Sequence, residues 1–88
     1  MKEFDGYKII ECNTFKNRLF GLMFKKNFDY GLLFNHCRSI HTFFMRKDID
    51  IIFLDNNNCV IKRYNNVKRN KVLICFKARK VIEIPSKY

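Results

Sequence analysis

Four side chains able to ligate a soft or borderline metal stand close together in this chain: His36, Cys37, His41 and Met45. On an extended strand Cys37 and His41 share a face, and Met45 joins them if no bulge intervenes. The turn expected near Arg38 breaks that register, no acidic ligand is near, and a buried histidine bonded to backbone explains His41 equally well. The same residues offer a thiol and an imidazole, with Cys37 or Cys59 as nucleophile and His41 as base. No third orienting group or oxyanion-hole signature accompanies them. Asp50 and Asp55 lie five positions apart and point to opposite faces of a regular strand. That spacing suits one structural ion pair and one turn cap better than a general acid and base. His41, Met45, Arg46 and Asp50 are therefore read as pocket or structural polar residues. No catalytic set is assigned, and neither a metal nor a cofactor is expected.

A second constellation is cationic. Between Asp55 and Glu83 the chain contains no acid, while Lys62, Arg63, Lys68, Arg69, Lys71, Lys77, Arg79 and Lys80 accumulate with Tyr64 and Phe76 among them. A basic sheet face with interleaved aromatics is how several small barrels hold single strands of nucleic acid. The alternative is a solvated, lysine-rich surface, because periodicity does not show that residues spread over two strands and two turns share a face. The formal net charge of +10 and the isoelectric point near 9.7 favour an anionic partner. Lys, Asn, Ile, Phe and Tyr are all abundant, as A/T-rich codons would make them, so biased composition contributes to the excess.

The elements that must position these groups centre on residues 40–55. Ile49, Ile51 and Phe53 alternate with Asp50, Ile52 and Leu54, which predicts a strand covered on both faces. An aspartate at the mouth of such a strand needs a cation or backbone donors, and Arg46 and Lys47 are the nearest cations in sequence. Asp55-Asn56-Asn57-Asn58 predicts a hairpin into a strand over Cys59–Tyr64, and Asn65-Asn66 a further turn. Before the centre, Tyr7–Cys12 reads as an edge strand, followed by an N-cap at Asn13-Thr14. Phe15, Leu19, Leu22 and Met23 then recur at helical spacing, which makes this the principal helix. Gly31–Cys37 and Ser39–Met45 read as strands, as do Val72–Phe76 and Lys80–Ile84, the last closed by Pro85.

Eighty-eight residues with ten phenylalanines and no tryptophan make one domain with a Phe, Ile and Leu core. Folding without covalent staples is expected, at about 4–13 kcal/mol. No window reaches the ~20 apolar residues of a membrane helix, and the first residues lack a secretory apolar region, so the chain reads as cytoplasmic. The four cysteines, Cys12, Cys37, Cys59 and Cys75, form no Cys-x-x-Cys and read as small buried hydrophobes.

Several short motifs fall in order: Gly21-Leu22-Met23 with Lys25; Gly31-Leu32-Leu33-Phe34; Ile40-His41-Thr42-Phe43-Phe44-Met45-Arg46; Ile49-Asp50-Ile51-Ile52-Phe53-Leu54-Asp55; Val60; and Val81-Ile82-Glu83-Ile84-Pro85. Over about residues 14–85 this series resembles domain of unknown function family 192, small bacterial and archaeal proteins. The resemblance implies a compact, mainly β (α+β) barrel-like sheet of about six strands with one principal helix, and no assigned reaction. Lys25 stands where that family usually has Arg, and Leu32 where it often has Met. Similar proteins continue beyond Pro85 through a turn and short helix, so a minimal version with an open sheet edge is expected. The functional expectation is a non-catalytic binding or interaction module, with a protein partner or self-association through that edge. Polyanion binding through residues 62–80 is the alternative, and a metal or enzymatic role of His41 with Cys37 or Met45 a second.

Overall fold

The computed structural model describes residues 2–12, 29–43 and 45–86. Eight strands occur there: β1 (Glu3–Phe4), β2 (Tyr7–Glu11), β3 (Tyr30–Asn35), β4 (Ser39–His41), β5 (Ile49–Leu54), β6 (Val60–Val67), β7 (Val72–Ile74) and β8 (Lys80–Pro85). The helix expected over 14–23 lies outside the described residues. Among those residues there is no helix, hence none long and apolar enough to cross a membrane.

Six strands form one sheet in the order β1-β2-β3-β8-β5-β6, and β4 and β7 form a separate antiparallel pair. Asp5 and Gly6 take φ values of 51° and 82°, the left-handed pair that a two-residue Asp-Gly hairpin requires, and this adds β1 outside β2. The edge is thus β1, and β2 lies one strand in, parallel to β3. All other neighbours are antiparallel.

Every residue of β5 is buried, as a strand with five large apolar residues in six positions predicts. One sheet face carries Leu32, Phe34, Ile49, Ile51, Phe53 and Val81, packed against Ile40, Leu73 and Cys75 of the β4–β7 region. The opposite face carries Ile9, Leu33, Ile52, Leu54, Ile82 and Ile84, with Phe4 and Tyr7 against them. Gly31 permits the tight approach of β2, β3 and β8 on that second face. A Cβ there would stand 2.6 Å from both Ile84 Cγ2 and Ile9 Cδ1 and 3.1 Å from the Glu83 carbonyl oxygen. Gly31→Ala should lower stability by about 1–3 kcal/mol, read as a lower urea midpoint at unchanged slope.

Three sequence expectations need correction. The strand beginning at Ser39 ends at His41, because the Met45 N–H donates to the Thr42 carbonyl and turns the chain inward. Asn65-Asn66 is no turn but part of β6: Ile49 pairs with Val67 and Ile51 with Tyr64, leaving one extra residue on β6, a bulge in which Asn66 has φ 55°. Among the cysteines, Cys12 and Cys37 are buried as expected, but Cys75 is half-buried and Cys59, at the hairpin, is exposed.

Candidate polyanion-binding site

The hairpins and turns place the cations. Asp55 accepts the N–H groups of Asn57 (2.8 Å) and Cys59 (2.9 Å) through Oδ1, which fixes the tip between β5 and β6. Beside it, the Ala78 N–H closes a turn onto the Cys75 carbonyl (3.0 Å) and the Arg79 N–H reaches the Leu54 carbonyl (2.8 Å). Backbone bonds from Cys37 to Arg79 (3.0 Å) and from Cys75 to Arg38 (2.8 Å) bring in the start of β4. Lys80 Nζ donates to Asn58 Oδ1 at 2.8 Å across the same end. Lys62 lies with its ammonium 5.1 Å from the Tyr64 ring centre. Hydrogen bonding to Tyr64 holds that ammonium above the ordinary lysine value.

One end of the molecule therefore gathers Arg38, Lys77, Arg79 and Lys80, with Lys62 on the adjoining strand and Phe76, 81% exposed, at the turn. Arg38 escaped the sequence reading because it lies outside the acid-free segment. Only the β4–β7 pairing, invisible to local periodicity, brings it in.

The remaining cations of the segment do not join this end. Arg69 and Lys71 sit at the far end of β7, where Thr42, fully buried, staples the connecting loop. Its hydroxyl donates to the Lys68 carbonyl (2.7 Å) and accepts the Lys71 N–H (2.8 Å). Lys68 is ion-paired with Asp48. Arg63 faces the other way: its guanidinium binds Asp5 (2.5 Å), Asp50 (3.1 Å) and Asn65 Oδ1 (2.7 Å). Of the eight cations named from sequence, these two alone form ion pairs among the described residues. The eight do not form one face; they divide between two ends of β7 and a structural bridge.

The other sequence candidates also separate. Asp50 is buried, and its partners are Arg63 and the Asn66 N–H (2.9 Å), not Arg46 or Lys47. The bulge in β6 presents that donor, a tertiary fact that nearness in sequence does not contain. Met45 and Cys37 lie in the core, and the Cys37 thiol donates to the Ser39 carbonyl at 3.0 Å. The His41 ring stacks on exposed Phe43 at 5.2 Å, its Nδ1 accepting the Phe43 N–H. Arg46 is exposed. Among the described residues no three His, Cys, Asp or Glu side chains are placed to hold a metal ion.

Comparison with known proteins adds a family and a fold. The model of the family DUF192, described as Uncharacterized ACR, COG1430, matches residues 4–88. The UPF0127 protein TK1120 of Thermococcus kodakarensis is 40% identical over 60 residues, covering 61% of this chain and 38% of its own. A UPF0127 protein of Thermococcus sibiricus is 44% identical over 56 residues, 57% of this chain and 36% of its own. The chain thus spans less than half the length of either relative. A crystal structure of a protein of unknown function from Novosphingobium aromaticivorans superposes with a TM-score of 0.80 at 19% identity, over 92% of this chain and 64% of that one. At that identity the likeness is one of fold.

Proposed function

Since this chain belongs to the DUF192 family, we propose from its own geometry that it is a non-catalytic binding module that holds a polyanion at its basic end. The observation that carries this reading is the gathering of Arg38, Lys77, Arg79 and Lys80 around one pair of turns, with Lys62 beside them. The carboxylate on those turns, Asp55, spends its Oδ1 on two backbone donors. Five cations so placed repel one another, and an anionic ligand relieves that repulsion while releasing its own counterions.

Binding should therefore fall steeply with salt. For a single-stranded oligonucleotide neutralised at about four phosphates, affinity should drop about 50-fold between 50 and 200 mM salt. Fluorescence anisotropy of a labelled oligonucleotide measures this. The triple variant Arg38→Ala, Lys77→Ala, Arg79→Ala should flatten the salt slope as well as weaken binding, since each removed contact removes a released counterion. Salt-independent binding, or a slope untouched by the triple variant, would place the contact elsewhere.

A further inference from the structure

The two basic ends are joined by an apolar strip that the polyanion reading leaves unused. In β7, Leu73 turns inward onto the core, while Val72 and Ile74 are 56% and 52% exposed. Opposite them across the β4–β7 pair stand His41 and Ser39. Phe43, 40% exposed, extends this face with its ring stacked on His41, and Phe76, 81% exposed, follows Ile74 at the strand's exit. The chain thus runs Lys71, Val72, Ile74, Phe76, Lys77, with cations at both ends of an exposed apolar and aromatic floor. At strand rise the distance from Lys71 to Lys77 is on the order of 15–20 Å.

We infer that the ligand of this strip is single-stranded nucleic acid, its bases laid on Phe76 and the Phe43–His41 stack and its phosphates held by the cations at either end of β7. The inference rests on the polyanion reading and adds the chemical class. Charge complementarity demands an anion that reaches both ends, and the exposed floor demands an apolar surface between them. A duplex hides its base faces in its own stack, and a simple acidic chain has no flat rings to offer. Unstacked bases supply both, because every base has a π-face that rests on an aromatic ring whatever the sequence. The strip's length suits the lower end of the ~4–16 nucleotides that small barrels accommodate.

The chain has no tryptophan, so Phe76→Trp places a single fluorescent reporter on the strip. At 81% exposure the position tolerates both this substitution and Phe76→Ala, and thermal unfolding verifies each fold. The probes are an oligothymidylate, a DNA duplex of equal length and poly-glutamate, titrated at one low salt concentration. The oligothymidylate should quench the introduced indole on binding and poly-glutamate should not. Phe76→Ala should weaken oligothymidylate binding about tenfold, the loss of one stacked base, while leaving poly-glutamate affinity unchanged. Equal affinities for all three probes, or a Phe76→Ala variant that binds the oligothymidylate like the parent, would overturn the stacking inference and leave the polyanion reading intact. Failure of all three probes to bind would overturn both.

Discussion

Raising the pH should destabilise this protein progressively between about 4.5 and about 8, and replacing Glu83 by Gln should remove most of that loss. Glu83 sits on the central strand β8, opposite Leu32 of β3 and Ile51 of β5, and is 3% exposed. Among the described residues its Oε2 has no hydrogen-bond partner. Burial alone pushes its carboxyl up to about 8. Because the folded value is raised, the folded state keeps a proton that the unfolded chain releases from about pH 4.5 upward. Proton uptake by the folded form is the greater throughout that window, so stability is highest below it and falls as pH rises. Each unit of difference is about 1.4 kcal/mol, which puts the total on the order of 3–5 kcal/mol above the window. Against a total of about 4–13 kcal/mol, that is a large fraction. Urea unfolding at pH 5, 7 and 9 reads it directly. Glu83→Gln should match the parent within about 1 kcal/mol at pH 5 and exceed it by several at pH 9. Glu83→Met, which also removes the unsatisfied polar atom, should exceed Glu83→Gln at every pH by about 1–3 kcal/mol. Parallel pH profiles for parent and Glu83→Gln would mean that the carboxyl is ionised in the folded core.

Glu83 also shows where sequence reading stops. In Val81-Ile82-Glu83-Ile84 the acid looks like one solvated position on a half-exposed strand, and nothing local says that β8 lies between β3 and β5 with both faces covered. The neighbouring strand β5 was legible because six consecutive positions carry five large apolar residues, a pattern few environments other than a sheet interior accept. The order of motifs identified the family for the same reason: most of them record burial. Asn65-Asn66 misled because the left-handed backbone that Asn tolerates serves a bulge as readily as a turn. The basic segment was visible as a count but not as a place. Which cations gather depends on the pairing of β4 with β7, contacts about 30 residues apart in the chain.

Arg63→Ala should lower stability by about 2–4 kcal/mol, although the side chain belongs to a segment whose other cations serve the surface. Its guanidinium does two things at once. It gives buried Asp50 a cation at 3.1 Å, and it reaches Asp5 at 2.5 Å, in the turn between β1 and β2. In strand order β1 and β6 are opposite edges of the sheet, so the Arg63–Asp5 pair, with Arg63 6.0 Å from the centre of the Phe4 ring, fastens the curled sheet over its Ile9–Leu33–Ile82 face. The two halves differ in worth. Asp5 and Arg63 are each about one-third exposed, at 32% and 33%, so water screens that pair and Asp5→Asn should cost only about 0.5–1 kcal/mol. The Asp50 side chain is 8% exposed, and loss of Arg63 leaves it with the Asn66 N–H as its remaining donor. Most of the Arg63→Ala penalty should therefore come from the carboxylate left behind. A double-mutant cycle makes this testable: Arg63→Ala combined with Asp50→Asn should cost less than the two single changes added together, by about 1–3 kcal/mol. Arg63→Lys should recover less than half of the loss, because a single ammonium cannot bind Asp5, Asp50 and Asn65 together as the planar fork does. Strict additivity in the cycle would mean that Asp50 is held by the bulge backbone alone.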